Sequence, residues 1–440
     1  MNEKIIMTLR IAALIFCIAI HCNAQDKAAP PNSPAPSPYT LEGLNLLGGA
    51  ASMVPFSDTV WGVDSDFRRK LFKHGLLLRV NVLPRIAFNL ADAPVPANQQ
   101  SYIGQRPTWI TGLAPILTAD LRQLGLHNAQ LNVSAAWRWT TWNPAGPKAL
   151  TLTSLYLYKM WGKRRVEMKA GYINNDLEFV GMQVGGSLAA AAQGVYAVLP
   201  FQVGMSYFPL VAPSLNFRVQ LPKRTYLKTG FQRSLDAAGG IATEARNHTG
   251  LRFAPKGDKL LFINEVGYQR ASSATARQMW VRAGFLRNKT AYTNKQTGIK
   301  EEGNYCVFGL ADYQLRMTDE KNPGHGLFMG GSVMATPEKF NSYHRYYEAR
   351  LYQKAPFQSR PDDVLSFVAS YRSHSKFVTD KLVAQGKTVW RNSPSLTGSY
   401  SMHVTRGNYL TVGLGYVRGA AITPRVNDSV TASINWGMYF

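Results

Sequence analysis

The sequence predicts an all-β chain: a transmembrane antiparallel β-barrel of about 16 strands, made with a cleaved N-terminal signal peptide. Three observations carry this. Apolar and polar residues alternate with a period of two in run after run from Leu76 to Phe440. An apolar stretch of export type opens the chain, and no later stretch reaches the roughly eighteen apolar residues that a membrane helix needs.

At the N-terminus, Lys4 and Arg10 flank the start of the apolar run Ile11 to Ile20, which ends in His21, Cys22, Asn23 and Ala24. This is the layout of a secretory signal peptide, with small residues at Cys22 and Ala24 suited to cleavage after Ala24. Residues 1–24 are expected to leave, and the mature chain to begin at Gln25. An uncleaved anchor helix is the competing reading, but the run falls short of the ~20 residues a spanning helix requires. A lipid-modified Cys22 fits poorly, because the bulky His21 sits where a lipoprotein signal wants a small residue. Residues 25–40, with their QDKAAPPNSPAPSP stretch, carry too few large apolar side chains to order themselves and read as a flexible lead-in.

Export decides how the composition is read. The chain is 11% aromatic, holds 37 Gly and is only 17% charged, whereas a soluble average is about 25%. Its formal net charge is +23, and losing Lys4, Arg10 and Glu3 with the signal lowers it by only one. In a cytosolic chain that excess would suggest nucleic acid. In an exported one no nucleic-acid partner is expected, and the cations read as basic loops and turns facing anionic lipid, as an arginine-lined lumen, or as both. Cys17 and Cys22 leave with the signal, and Cys306 alone cannot form an intrachain disulfide.

Several runs assign their own faces. In Leu76 to Asn89 one parity gives Leu76, Leu78, Val80, Val82, Ile86 and Phe88, and the other gives Arg79, Asn81, Arg85 and Asn89. Leu131, Val133, Ala135, Trp137 and Trp139 stand against Gln130, Asn132, Ser134, Arg138 and Thr140. Asn216, Arg218 and Gln220 oppose an apolar face, as do Ser395, Thr397, Ser399, Ser401 and His403. The last run sets Val430, Ala432, Ile434, Trp436, Met438 and Phe440 against Ser429, Thr431, Ser433, Asn435 and Tyr439. An amphipathic final strand closing on an aromatic residue resembles the signal read by the barrel-assembly machinery, a partner expected through Phe440.

A soluble sandwich also alternates, so the polar parity has to decide. It reads wet in nearly every run, which suits a closed cylinder with lipid outside and water inside, since closure satisfies every backbone amide. Trp137, Trp139, Trp142, Tyr409, Tyr416, Trp436 and Tyr439 are then expected in interfacial girdles against outer-membrane lipid and lipopolysaccharide. Core aromatics are their other reading.

The stretches WGVDSDFRRKLFKHGLLL (Trp61 to Leu78), VEMKAGYINNDLEFVG (Val166 to Gly181), SRPDDVLSFVASYRSHS (Ser359 to Ser375) and SPSLTGSYSMHVTRGNYLTVGLGYVRG resemble the carbohydrate-selective porin family, OprB, from about Phe56 to Phe440. One departure is Val63 and Asp64 after Trp61 and Gly62, where the family pattern has a double glycine. The resemblance implies a bacterial outer-membrane location and a sixteen-stranded barrel with long outer loops and an inward-folded constriction. It also implies passive diffusion of small sugars, monosaccharides such as glucose. It leads to a division into residues 1–24 (signal), 25–40 (lead-in), 41–75 (a plug or cap at the periplasmic end) and 76–440 (barrel).

A sugar loses water on entering a narrow pore, so the wall must offer replacement hydrogen bonds, and binding must stay weak. Parity places Arg79, Arg85, Arg138, Arg218, Arg252, Arg282, Arg350 and Arg372 inward, the candidate channel lining; for any one of them, a structural pair across strands is the alternative. Asp176 and Glu178 lie just beyond the strand Val166 to Tyr172, where the resemblance places a Glu-Phe pair (Glu178, Phe179), and are expected at the constriction; a solvated outer loop is the alternative. Arg360, Asp362 and Asp363 read as a structural turn. A general or anion-preferring porin is the second functional reading, favoured by the arginine excess. Enzymatic activity is not expected, because the histidines lack Ser or acid at telling spacing. No cofactor or metal is expected either, in the absence of HExxH, CxxC or a phosphate loop.

Overall fold

The computed structural model describes residues 40–46, 53–142, 144, 150–181, 184–185 and 199–440. The signal peptide expected at residues 1–24, its cleavage site, and all but the last residue of the expected lead-in lie outside these described residues.

Sixteen antiparallel staves form from the alternating runs. They are β1 (Leu76–Val82 continued by Arg85–Asn89), β2 (Thr108–Asp120), β3 (Ala129–Thr140), β4 (Leu150–Trp161), β5 (Val166–Ile173), β6 (Ala212–Gln220), β7 (Thr225–Arg233) and β8 (Leu260–Arg270). The second half comprises β9 (Met279–Asn288), β10 (Tyr305–Met317), β11 (Gly326–Ala335), β12 (Tyr343–Lys354), β13 (Val364–His374), β14 (Asn392–Thr405), β15 (Asn408–Val417) and β16 (Ser429–Tyr439). The runs around Ile263 and Leu327, weak in the sequence, are β8 and β11. Pro84 splits β1, because proline has no N–H for the ladder. Both halves still pair with β2 on one side and β16 on the other, Ile86 standing opposite Ile434 and Asn81 opposite Tyr439. These last pairings close the cylinder, so no sheet edge is left to meet hydrocarbon. Among the described residues no helix is long and apolar enough to cross a membrane.

Period two sends alternate side chains to opposite sides of the wall. Leu113, Leu117, Trp137, Trp139, Leu351, Phe367, Leu414, Tyr416 and Trp436 point outward and are exposed. The girdle expectation needs correcting for two residues. Tyr409 and Tyr439 face inward, 7% and 4% exposed, because they share the inner parity of Thr411 and Ser433.

Short turns such as 162–165, 221–224 and 406–407 gather at the end where β1 begins and β16 stops, and the long loops gather at the other. The segment before the barrel packs on the short-turn end. It contains α1 (Leu41–Leu46) and α2 (Asp66–Lys73). The Phe56 ring lies between the guanidinium groups of Arg68 (4.2 Å) and Arg79 (4.7 Å). Val60 N–H donates to Tyr439 C=O at 2.9 Å, Arg406 Nε to Ser57 C=O at 2.8 Å, and Gln130 Nε2 to Leu44 C=O at 3.0 Å. Asp58 accepts from Tyr409 Oη, and its Oδ1 lies 2.8 Å from His403 Nε2.

The wet inner parity also needs correction. Leu261 and Ile263 on β8, Leu286 on β9, Cys306, Phe308 and Leu310 on β10, Met334 on β11 and Tyr346 on β12 point inward, yet all are buried. The loop between β5 and β6 covers them, so this third of the inner wall is an apolar core.

Candidate functional site

The loop 174–211 between β5 and β6 folds onto the inner wall through its described residues. Its base is held by neutral amides on the inner faces of β6 and β7. Asn216 Nδ2 donates to Asn175 Oδ1 (2.7 Å), Asn175 Nδ2 to Gln232 Oε1 (2.8 Å), and Gln232 Nε2 to Gly204 C=O (2.9 Å). Next comes a single helical turn, Asp176–Val180, whose Phe179 rests against Gly230 of β7. A Cβ at Gly230 would stand 2.8 Å from the Phe179 ring, so glycine is what permits this approach. Val184 packs with Phe328, Tyr352 and Val368 of β11, β12 and β13. Gln202 Oε1 accepts from Ser342 N (2.8 Å) and Tyr343 N (3.0 Å). Phe179, Val180, Leu199, Val203 and Met205 together bury five side chains in the apolar core. At about 1.5–3 kcal/mol each, roughly 7–15 kcal/mol as an upper bound holds the loop in.

Charged groups complete the anchoring. Arg282 of β9 donates from Nη1 to Phe179 C=O and from Nη2 to Gly181 C=O, both at 3.1 Å, with its guanidinium 3.7 Å from the Trp280 ring centroid. Lys169 of β5 pairs with Glu178, and Lys228 of β7 donates to Glu178 C=O while standing 3.6 Å from Glu265 Oε1. Glu265 also accepts from Tyr226 Oη at 2.8 Å. Burial raises the Asp176 carboxyl to about 7, against the pull of its hydrogen bond from Leu177 N–H.

The sequence-derived candidates therefore divide. Asp176 and Glu178 sit together on the inward turn. Arg138 lies on the inner face of β3 with its guanidinium 5.7 Å from the Phe208 ring centroid, Phe208 being a loop residue left 41% exposed. Arg85 and Arg372 are half-buried on the inner faces of β1 and β13, Arg372 lying 5.3 Å from the Tyr343 ring centroid. Arg218 is near the short-turn end, over Tyr226 at 4.6 Å and donating to Gln269 at 3.3 Å. Arg79 is sealed, 3% exposed beneath the N-terminal segment, and donates to Val54 C=O at 2.6 Å. Arg252 is not on a strand at all; it lies exposed in the loop between β7 and β8. Arg282 clamps the loop, and Arg350 is buried against Asp312, Glu348 and Ser332, with 2.9 and 2.8 Å bonds to the two Asp312 oxygens. Arg360 and Asp363 pair within the turn between β12 and β13, as a structural turn requires.

Sequence reading passed over Lys169, Lys228 and Glu265, although each lies on the polar parity of its run. It also missed Phe208 and Glu244. Burial raises the Glu244 carboxyl, while the charges of Arg138 and His248 lower it. Phe208 carries no signal in the pattern, because its position depends on how the loop folds back.

Away from the apolar core, the wall runs from β13 through β16 to β5. Its inner side carries small hydroxyls that are buried and bonded to one another across strands: Ser366 to Ser399 at 3.1 Å, Ser370 to Ser395 at 2.8 Å, and Thr411 to Ser401 at 2.9 Å. Asn132, Asn435, Arg85 and Arg138 share this side. The part-exposed amides of Asn132 and Asn435 both donate and accept, which matches a solute that does the same. Among the described residues no cluster of three or more His, Cys, Asp or Glu could hold a metal ion.

Comparison with known proteins agrees with this geometry. The pattern that describes the carbohydrate-selective porin family, OprB, matches residues 72–440. The high-pH structure of Pseudomonas putida OprB is similar in fold, with a TM-score of 0.71 at 13% identity, covering 87% of this chain and 98% of that one. The low-pH structure of the same protein gives 0.55 at 13% identity, covering 87% and 99%. No curated protein matches the sequence. A closed barrel of sixteen antiparallel staves with an inward loop, matched over nearly its whole length by one family pattern, is an outer-membrane protein, and the chain belongs to the carbohydrate-selective porin family, OprB.

Proposed function

We propose that this chain lets small neutral sugars, monosaccharides such as glucose, diffuse passively across the outer membrane through a channel narrowed by the loop 174–211. The observation that carries the reading is the pairing of two unlike walls. On one side stand the part-exposed amides Asn132 and Asn435 with the half-buried Arg85, Arg138 and Arg372. Facing it is a loop that presents Phe208, Asp176 and Glu178. Guanidinium groups and carboxylates replace sugar hydration as it is lost, and an aromatic face suits the apolar side of a pyranose ring. No group in this set binds strongly alone, as a permeating solute requires. Passage needs no chemical step, so the protein acts without catalysis. Residues 1–24 serve as the export signal, cleaved near Ala24; residues 41–75 cap the periplasmic end; and the strand ending at Phe440 is read by the barrel-assembly machinery.

In planar bilayers, the expected result is single-channel conductance that falls as glucose is added to millimolar levels. A second reading, an anion-preferring diffusion porin, is favoured by the arginine count and the +23 formal charge. It is separated by the reversal potential in a salt gradient: strong anion selectivity with no effect of glucose supports it and removes the sugar reading.

A further inference from the structure

At the short-turn end, two neighbouring hairpins use the same unusual dipeptide. In the turn Gly162 to Arg165 the central residues are Lys163 and Arg164, with φ of 54° and 69°. In the turn Pro222 to Thr225 they are Lys223 and Arg224, with φ of 55° and 63°. Each turn closes with a 3.2 Å hydrogen bond, Arg165 N–H to Gly162 C=O and Thr225 N–H to Pro222 C=O. Paired positive φ values are the signature of turns that favour Asn-Gly, because a Cβ is disfavoured there. These four residues are most of the six non-glycine positions with positive φ among the described residues. Backbone preference does not explain lysine and arginine at both sites.

The two turns form one surface. Gln220 N–H donates to Arg165 C=O at 2.7 Å, and Gln269 N–H donates to Arg224 C=O at 3.0 Å, stitching three hairpins into an arc that also carries Arg277. Lys163, Arg164, Arg165, Lys223, Arg224 and Arg277 are all exposed. Among the described residues none of them is ion-paired; the nearby pairs belong to Arg122, Lys169 and Lys228. Directly above the arc, Trp161 and Leu221 are exposed at the ends of the outward apolar face. The cations thus stand where hydrocarbon gives way to headgroups. The described N-terminal segment packs against β1, β3 and β13 to β16, away from this arc.

We infer that this arc binds anionic phospholipid headgroups, phosphodiesters of the phosphatidylglycerol type, in the leaflet that the short-turn rim meets. A monoanionic phosphate beside several exposed cations and an interfacial tryptophan is the chemistry that such a surface fits. The inference rests on the barrel alone and is independent of the solute that crosses it.

The test exploits the turn geometry. The mature chain and the variant K163N/R164G/K223N/R224G are reconstituted in phosphatidylcholine membranes, and spin-labelled phosphatidylglycerol and phosphatidylcholine are compared for association with the barrel. Asn-Gly suits both turns better than Lys-Arg, so the variant retains its fold, checked by unchanged channel conductance. The wild type is expected to prefer phosphatidylglycerol by about fivefold or more, the effect of roughly one surface cation. That preference should fall toward unity in the variant, and in the wild type at ~1 M salt. Equal association of the two lipids with the wild type, or a preference retained in full by the variant, overturns the proposal. So does binding of soluble polyanions by the arc without any lipid preference.

Discussion

Replacing Arg282 by methionine isolates what holds the first turn of the inward loop. Methionine keeps an unbranched stem against Trp280 and removes only the guanidinium, which donates to the carbonyls of Phe179 and Gly181 at 3.1 Å each. A hydrogen bond from a charged donor contributes about 1.5–3 kcal/mol, and lumen water can resatisfy part of the loss, so we take the lower end, about 3 kcal/mol for the pair. That is roughly a 150-fold increase in the time the turn spends undocked. The five buried apolar side chains still pin the loop, through up to about 7–15 kcal/mol, so it is expected to stay in the lumen. The expected single-channel record shows the wild-type main level with frequent brief excursions to higher conductance, and weaker block by glucose. Adding Lys228→Met, which removes the donor to Glu178 C=O, should lengthen those excursions. A record indistinguishable from wild type in both variants would refute the claim that these cations hold the constriction.

Other predictions follow from the same geometry. Asp176, with its carboxyl raised to about 7, holds in the folded state a proton that the unfolded chain has already lost above about pH 4. The stability from this group therefore falls as pH rises from about 4 to 7 and is flat above. Over the upper part of that range a negative charge appears at the constriction, so anion preference measured by reversal potential should drop through pH 7, and Asp176→Asn should abolish the step. Asp58→Asn weakens the contacts with His403 and Tyr409, and hydrogen exchange of residues 53–75 should accelerate by one to two decades for a loss of about 1.5–3 kcal/mol; unchanged protection would show that the cap does not depend on this carboxylate. Phe367→Arg places a charge on the outward face of β13, and folding into lipid vesicles should lose about 2–4 kcal/mol; unaltered folding would mean this position does not face hydrocarbon.

The barrel was legible because strand parity is a local property. Runs such as Leu131 to Thr140 and Val430 to Phe440 state which face meets lipid, and the structure keeps those faces throughout. What parity cannot carry is what lies against the inner face. Arg79 and Arg282 have the same inward placement as Arg85, yet one is sealed by Val54 and Phe56 and the other clamps Phe179, residues distant in sequence. The run Leu260 to Ile263 is apolar on both parities, a sign of a buried wall, but only the folded-back loop explains it. Tyr409 misleads for the same reason: its inner parity was readable, while its partner Asp58 lies across the barrel mouth. That Asp176 and Glu178 lie on a turn just beyond β5 was readable because they follow that strand directly, whereas the place of Phe208 was not.

The central claim, a water-filled lumen narrowed by the loop 174–211 and matched to small polyols, is tested most directly by swelling of protein-loaded liposomes in isosmotic sugars of increasing size. Fast swelling in glucose that falls steeply through disaccharides to tetrasaccharides is the predicted result. Equal swelling rates across the series, or none with glucose despite a steady ionic conductance, would contradict it.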